Sequence, residues 1–394
     1  MRTFGVFFII CISKLVKAFK CFFSCVHISI NDWKNIGNCI LHKCYFLKGL
    51  KLVSDFRQEG EIPHNVRLTA PEIANLWTQF QSDTMAICVY MYMLKIVEDK
   101  SIRPILEYAL TLAEGHVAKI KEYFREEKFP IPHGFTEEDV NLAAPRLFSD
   151  EFCLIYTQIA SIHGLAGYAA ALSTNTRRDI RDYFVQNQNE TMKLFNLATD
   201  LMLEKGIVSR PPFINPPNHY EFVQTESFIQ GILGGERPLN CIEISDIFWN
   251  LKKAQLDKAL CMAFAQGAQS QEVKDLFWRW VKMMGKHVEI LETLLSNDRL
   301  PSPRAEDAEI TNSTISPFSD RLIMYHKMMI SSSQLGLYGT ALATCQRYDL
   351  GLHFSRLSVE LADILKDGYK LMIKHKWAEQ VPLADDREKL SGQR

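Results

Sequence analysis

The sequence contains one long pattern twice, and this internal repeat constrains the fold more than any other feature. Phe148-Ser149-Asp150 opens one stretch, and Phe318-Ser319-Asp320 opens a second stretch 170 positions later. The same interval separates further matching residues, namely Tyr168 and Tyr338, Arg177 and Arg347, and Glu190 and Glu360. A chain of 394 residues can hold two or three domains, each with its own core. The repeat therefore predicts two copies of one fold.

Each copy is predicted to contain four helices. Apolar residues recur at three- and four-residue steps, which is the spacing of one helix face. Thr69 with Glu72, and Asn240 with Glu243, form the capping signal that marks the start of the first helix in each copy. Residues 129–149 contain several prolines and separate the second helix from the third. At about 3.3 Å per residue, this connection can run the whole length of a bundle.

A single lengthwise crossover makes the second and third helices parallel, as in the ferritin-like variant of the four-helix bundle. The sequence therefore predicts an all-α protein with two tandem ferritin-like four-helix bundles related by a pseudo-two-fold axis. The predicted segments are an N-terminal extension over residues 1–60, a first bundle over 64–210, a linker over 211–236 and a second bundle over 237–390.

The N-terminal extension differs from the rest of the chain. Its apolar run from Phe4 to Ile12 is too short to span a bilayer, and lysines break up the remainder of residues 4–29. No convincing signal-peptide cleavage site follows. Three interpretations stay open: a weak membrane-associating segment, a disordered tail, or upstream sequence read from a start codon placed too early. The last is favoured, because the helical pattern and the repeat begin only after His64.

Charge and motifs exclude several classes of function. The formal net charge is −1, and beyond the extension no concentrated basic face is present, so nucleic-acid binding is not predicted. The sequence has no P-loop, GxGxxG, HExxH or Ser-His-Asp arrangement, so it predicts neither catalytic nor cofactor-binding residues. The Gly and Ala clusters near Gly167 and Gly336 are interpreted as devices for close helix packing.

The matched histidines His116 and His287 are the main candidates for a metal site. Di-iron and di-manganese proteins with this fold need a Glu on each of two helices and Glu-x-x-His on the other two. Glu114 has the wrong spacing to His116, and His163 is replaced by Ser333 in the second copy. We therefore predict packed histidines and no metal. The alternative is iron or manganese bound by some of His116, His287, Glu114 and His163.

The fourth helix begins with the same motif in each copy, Arg177-x-Asp179 and Arg347-x-Asp349. Each Asp is expected to cap its helix. Each Arg is expected to pair with a nearby carboxylate or loop carbonyl.

Several strings resemble a known family. They are LTAPEIANLW at 68–77, FPIP at 129–132, GFTEEDV at 134–140, PRLFSD at 145–150, RPLN at 237–240 and PFSD at 317–320. The chain resembles, over residues 64–390, the doubled ferritin-like proteins of Bacillus-type sporulating Firmicutes known as domain of unknown function 3231, which are related to the spore coat F protein. The resemblance implies a doubled bundle. It implies no established activity and supplies no catalytic residues.

Three functions are consistent with these observations. The first is a non-enzymatic, coat-F-like structural or stress-associated protein of a sporulating bacterium, located in the cytoplasm or the spore coat, which associates with itself or with coat proteins. The second is a metal-binding ferritin-like oxidoreductase or metal-handling protein. The third is a bundle that binds a small apolar ligand between its helices.

Overall fold

The structure, a computed structural model, describes residues 66–231 and 237–392. Within these residues the regular structure is helical, and no β-strand is present. The helices are α1 (Ala70–Ile96), α2 (Arg103–Glu126), α3 (Asp150–Thr174), α4 (Arg178–Glu204), α5 (Cys241–Gly267), α6 (Gln271–Asn297), α7 (Asp320–Thr344), α8 (Tyr348–Lys374) and the short α9 (Arg387–Leu390). The predicted all-α fold with two bundles of four helices is confirmed.

The predicted capping residues do start the first helix of each bundle. Thr69 donates its backbone N–H to Oε2 of Glu72 at 2.7 Å, and Asn240 donates to Oε2 of Glu243 at 3.0 Å. Both glutamates are fully buried. The second oxygen of Glu72 accepts the backbone N–H of Arg177 at 2.8 Å, and Glu243 makes the equivalent bond in the second copy at 3.1 Å. These carboxylates therefore join the start of the first helix to the start of the fourth.

The connection between the second and third helices runs the length of each bundle. Asp150, at the start of α3, accepts the backbone N–H of Asp99 in the turn before α2 at 2.8 Å. In the second copy, Asp320, at the start of α7, accepts the backbone N–H of Ser270, just before α6, at 2.7 Å. The second and third helices of each copy thus begin at the same end of the bundle and run parallel. The crossover must return from the opposite end.

The two crossovers pair with each other. Isolated antiparallel bridges join Val140 to Phe318 and Phe148 to Ile310. Val140 and Ile310 occupy equivalent positions of the repeat, and so do Phe148 and Phe318. The repeat therefore relates one bridge to the other. The two bundles are therefore related by a pseudo-two-fold axis, and each crossover gains hydrogen-bond partners from its copy.

The seam between the bundles is built from the first and third helices of each copy. Tyr156 on α3 and His326 on α7 occupy equivalent positions of the repeat, and the Tyr156 hydroxyl lies 2.9 Å from Nε2 of His326. Such a contact between equivalent residues places this pair on the pseudo-two-fold axis. The hydroxyl groups of Ser82 on α1 and Tyr325 on α7 approach to 3.4 Å nearby.

The apolar core is divided in the first bundle. One end of α1, α2 and α4 forms a separate cluster that includes Leu76, Trp77, Phe80, Phe124 and Phe184. The remaining buried apolar residues of the first bundle belong to one cluster with those of the second bundle. The described part of the first bundle therefore has a break in its apolar packing near the middle of α1, whereas the core of the second bundle is continuous.

One local prediction is wrong. Arg177 and Arg347 are themselves the N-cap residues of α4 and α8, and Asp179 and Asp349 lie inside the first turn. The expected ion pairs form within each motif, with Nη2–Oδ2 distances of 2.6 and 2.7 Å. The buried glutamate of the first helix in each copy already accepts the backbone N–H at the start of the fourth helix. The Asp of each motif therefore binds the guanidinium of the Arg in the same motif.

The prediction for the N-terminal extension lies outside the described residues, as does part of the linker. None of the helices in the described part combines the length and apolar character needed to cross a membrane.

Candidate functional site

His116 lies inside the first bundle between two carboxylates. Its Nδ1 is 3.2 Å from Oδ2 of Asp83 on α1, and its Nε2 is 3.7 Å from Oε2 of Glu190 on α4. Burial lowers the pKa of His116, but its interactions with Asp83, followed by those with Glu190, outweigh burial and leave the pKa raised. His116 is therefore a buried side chain that is hydrogen-bonded to Asp83 of α1 and lies near Glu190 of α4.

His287 occupies the matching position in the second bundle with different partners. Its Nδ1 is 3.0 Å from the hydroxyl of Tyr338, and its Nε2 is 3.3 Å from Oε2 of Glu360. Burial lowers the pKa of His287, and the neighbouring carboxylate of Glu360 offsets only part of this effect. Ala254 stands where the first bundle has Asp83, which explains the opposite direction of the two shifts.

The residues named as metal candidates do not converge. Asp83 and Glu190 approach opposite nitrogens of the His116 ring, so they cannot share one ion with it. Glu114 is exposed, and His163 lines a cavity at the seam. Across residues 66–231 and 237–392, no cluster of three or more His, Cys, Asp or Glu side chains could hold a metal ion.

A cavity of about 560 Å³ lies at the seam between the bundles. It is lined by α1 and α3 of the first bundle, by α5 and α7 of the second, and by Phe184 of α4. Four of its exposed lining residues, Ala74, Thr78, Gly167 and Ala170, lie on α1 and α3. The cavity therefore opens to solvent between these two helices.

Small side chains on the first-bundle side make this space. Thr78 on α1 and Gly167 on α3 line the cavity, and a Cβ added at Gly167 would meet no atom within 4 Å. Trp249 and Leu337 occupy the equivalent positions of the second bundle. Because these side chains are much larger, the pseudo-two-fold axis does not generate an equal opening on the second-bundle side.

Gly164 has a different role from Gly167. A Cβ at this position would come within 3.2 Å of the Thr191 side chain on α4, which is closer than ordinary contact. The prediction that small residues of α3 permit close packing therefore applies to Gly164, whereas Gly167 forms part of a cavity wall.

Several polar groups of the cavity wall lack partners within the described residues. Lys253 on α5 is only 7% exposed, and it makes no hydrogen bond or ion pair there. His163 on α3 is likewise unpaired, and Nδ1 of His326 is buried without a partner. Burial, together with the charge of Lys253, lowers the pKa of His163 to about 3. The histidine is therefore neutral at physiological pH.

Comparison with known proteins identifies the family. Residues 58–219 and 227–390 each match the sequence profile described as "Protein of unknown function (DUF3231)", so the profile covers most of the chain in two repeats. The chain belongs to the DUF3231 family. The two matches coincide with the two bundles and explain the 170-residue interval as a tandem pair of DUF3231 repeats.

One solved structure is similar to part of this DUF3231 protein. It comes from Bacillus halodurans C-125 and is described as a "putative spore coat protein". The similarity spans 40% of this chain and 99% of that one, at 17% identity and a TM-score of 0.33. A search of curated proteins found no match.

Sequence reasoning found the matched histidines but missed Lys253. The signal was weak, because Ser82 stands at the equivalent position of the first copy and comparison of the copies does not select the lysine. A second signal was available: the adjacent lysines Lys252 and Lys253 fall between Leu251 and Ala254, which are fully buried. Charged side chains inside such a helix need a specific reason to be there.

Proposed function

We propose that this protein is a non-catalytic binding protein that holds a small, mostly apolar molecule between its two bundles. The observation that carries the proposal is the cavity of about 560 Å³ at the seam. Its volume is typical of sites that enclose small molecules, which range over about 300–1,000 Å³. Apolar lining from four helices supplies the contact area, and unpaired polar groups on the wall can orient the bound molecule.

The difference between the copies supports the same function. A cavity loses dispersion contacts along its whole lining, so packing alone favours large side chains at such positions. The second bundle has Trp249 and Leu337 there, whereas the first has Thr78 and Gly167. The chain's own second copy therefore provides side chains that this helix arrangement accepts and that would close the cavity mouth.

Exchange of these residues tests the proposal. We expect decanol to bind the wild-type protein in titration calorimetry, and Thr78→Trp with Gly167→Leu to weaken that binding by at least about tenfold. Gly339→Leu is the matched control, because Gly339 lies on α7, also has open space around an added Cβ, and does not line the cavity. Absence of decanol binding to the wild-type protein, or unchanged binding to the double variant, would contradict the proposal.

The sporulation setting is a second part of the proposal. We infer from the sequence resemblance to relatives of the spore coat F protein that the fold is ferritin-like and that the protein acts in a sporulating bacterium, in the cytoplasm or on the spore coat. Immunoblots of vegetative cells, mother cells and extracted coats test this location. Detection at equal levels in vegetative cells, with none in coat extracts, would refute the coat assignment while leaving the cavity function intact.

A further inference from the structure

We infer that the molecule bound at the seam is a monocarboxylate with an apolar tail, and that its carboxylate pairs with the ammonium group of Lys253. This inference rests on the proposed function and names the chemical class of its ligand. The supporting observations are the position of Lys253 on the cavity wall, its burial and its lack of a countercharge.

Lys253 is an uncompensated cation in the part of the chain that the structure describes. Burial, followed by repulsion from Lys252, lowers its pKa to about 8. The ammonium is therefore still the main form at neutral pH. A buried charge without a partner is costly, whereas a carboxylate placed beside it satisfies both groups.

The carboxylates already on the cavity wall are engaged elsewhere. Asp83 lies 3.2 Å from His116 inside the first bundle. Asp257 binds the ammonium of Lys327 through both oxygens, at 2.7 and 2.5 Å. Neither Asp83 nor Asp257 lies within ion-pair distance of Lys253. Among the residues that the structure describes, the cavity wall therefore offers Lys253 no free carboxylate, and a ligand can supply one.

Two neutral histidines complete the polar end. His163 and His326 line the same cavity as Lys253, and the charge of Lys253 contributes to the lowered pKa of His163. Burial lowers the pKa of His326 to about 3, so its ring is neutral and can donate one N–H. A carboxylate has two oxygens, so it can bind Lys253 and accept a histidine N–H together.

An uncharged stretch of wall is available for the tail. Gly167 and Ala171, in the second half of α3, and Phe184 on α4 line the cavity and carry no charge. In the first copy Ser82 takes the place of Lys253, so the lysine of the wall lies on the second-bundle side. The acid group is therefore placed beside Lys253 of α5 and the tail along Gly167, Ala171 and Phe184.

A matched pair of ligands tests the inference. Decanoate and decanol have the same chain length and differ in the headgroup charge. By titration calorimetry at neutral pH, we expect the wild-type protein to bind decanoate at least about tenfold more tightly than decanol. Lys253→Met should abolish this preference, because it removes the cation and keeps a side chain of similar length. Lys253→Arg should retain part of it, because the cation is kept.

The control variant is Lys282→Met, which removes an exposed lysine of α6 and should change neither affinity. Circular dichroism confirms that each variant is folded, and Lys253→Gln replaces Lys253→Met if the latter is not. Equal affinity of the wild-type protein for the two ligands would overturn the carboxylate inference and leave the proposed function intact. A preference for decanoate that survives Lys253→Met would do the same. Failure of both ligands to bind the wild-type protein would overturn the proposed function as well.

Discussion

The two bundles share their connections but place buried charge differently. In the first bundle, Asp83 on α1 pairs with His116 of α2. In the second, the equivalent residue is Ala254, and the acid is Asp257, one turn further along α5. Asp257 pairs with Lys327 of α7, and both side chains are almost completely buried.

The first bundle has Ala86 and Thr157 where the second has this ion pair. One backbone arrangement thus accommodates two alternative charge patterns. Asp257 and Lys327 are both present in the second copy and both absent from the first, as expected because an unpaired buried charge is strongly destabilising. His287, by contrast, is retained without an equivalent of Asp83, and its Nδ1 lies beside the Tyr338 hydroxyl instead. Lys253 departs from this pattern, which is why its partner is sought outside the chain.

The largest expected effect comes from breaking the ion pair of the second bundle. Lys327→Thr, which installs the residue of the first copy, leaves Asp257 buried without a countercharge and should cost about 3–5 kcal/mol of unfolding free energy. Adding Asp257→Ala should recover most of this loss, because the double variant reproduces the uncharged pair of the first copy. Urea denaturation measures both. Equal losses in the single and double variants would show that packing of the lysine stem, rather than charge, matters here.

A smaller loss of unfolding free energy is expected on substitution of Glu72 or Glu243, the buried glutamates that both copies have at the start of the first helix. Burial raises the pKa of Glu72, but hydrogen bonds from Thr69, Arg177 and Thr176 outweigh it and lower the pKa to about 2. A lowered pKa contributes stability that is present above the ordinary value of 4.5 and is lost as the pH falls toward 2. Glu72→Gln should therefore cost about 2 kcal/mol at neutral pH and flatten the acid dependence.

Glu243→Gln is the matched variant in the second copy, where hydrogen bonds also lower the carboxyl pKa against burial. Denaturation at several pH values measures both variants. A loss confined to one copy would show that the shared cap is not equally important in the two bundles.

The contributions of His116 and His287 to the stability of the fold should change with pH in opposite directions. The pKa of His116 is raised, so its contribution to stability is present below the ordinary value of 6.5 and is lost as the pH rises through the raised pKa. The pKa of His287 is lowered, so its contribution is present above 6.5 and is lost as the pH falls through the lowered pKa. Histidine NMR titrations measure both values directly.

Exchange between the copies sharpens this test. Asp83→Ala should bring the pKa of His116 below its ordinary value, because burial then opposes only the more distant Glu190. Ala254→Asp should raise the pKa of His287. Titration curves that do not move would assign the difference to burial rather than to Asp83.

The smallest expected change concerns metal. Protein purified without chelator should contain less than stoichiometric iron or manganese by elemental analysis, and His116→Ala should not alter that content. The reason is that Asp83 and Glu190 approach opposite nitrogens of the His116 ring. Stoichiometric iron or manganese that is lost on His116→Ala would instead support the metal-handling alternative.

Much of the fold could be predicted because its signals are local. The caps at Thr69 and Asn240, the three- and four-residue apolar spacing and the proline-rich crossovers each depend on a short stretch of chain. The error at Asp179 shows the limit of such signals. Its helix start is bound by Glu72, a residue more than a hundred positions away, and no local pattern contains that contact.

The candidate site could not be predicted in the same way. His116 and His287 were visible as a matched pair, but neither lines the cavity. Gly167 was interpreted as a packing residue, and Lys253 was not selected. Whether a small residue receives a neighbour or faces empty space depends on which helix lies opposite. That helix belongs to the other copy, and sequence periodicity does not specify how the copies meet.

The sequence by itself determined that this chain is a tandem duplication of a four-helix unit with one long crossover, since periodicity, capping and repeat interval are properties of order along the chain. Only the tertiary structure decided that Tyr156 meets His326, that the crossovers pair, and that Lys253 faces a cavity without a countercharge. Burial, charge pairing and empty volume are set by side chains distant in sequence, so they exist only once the two bundles are packed together.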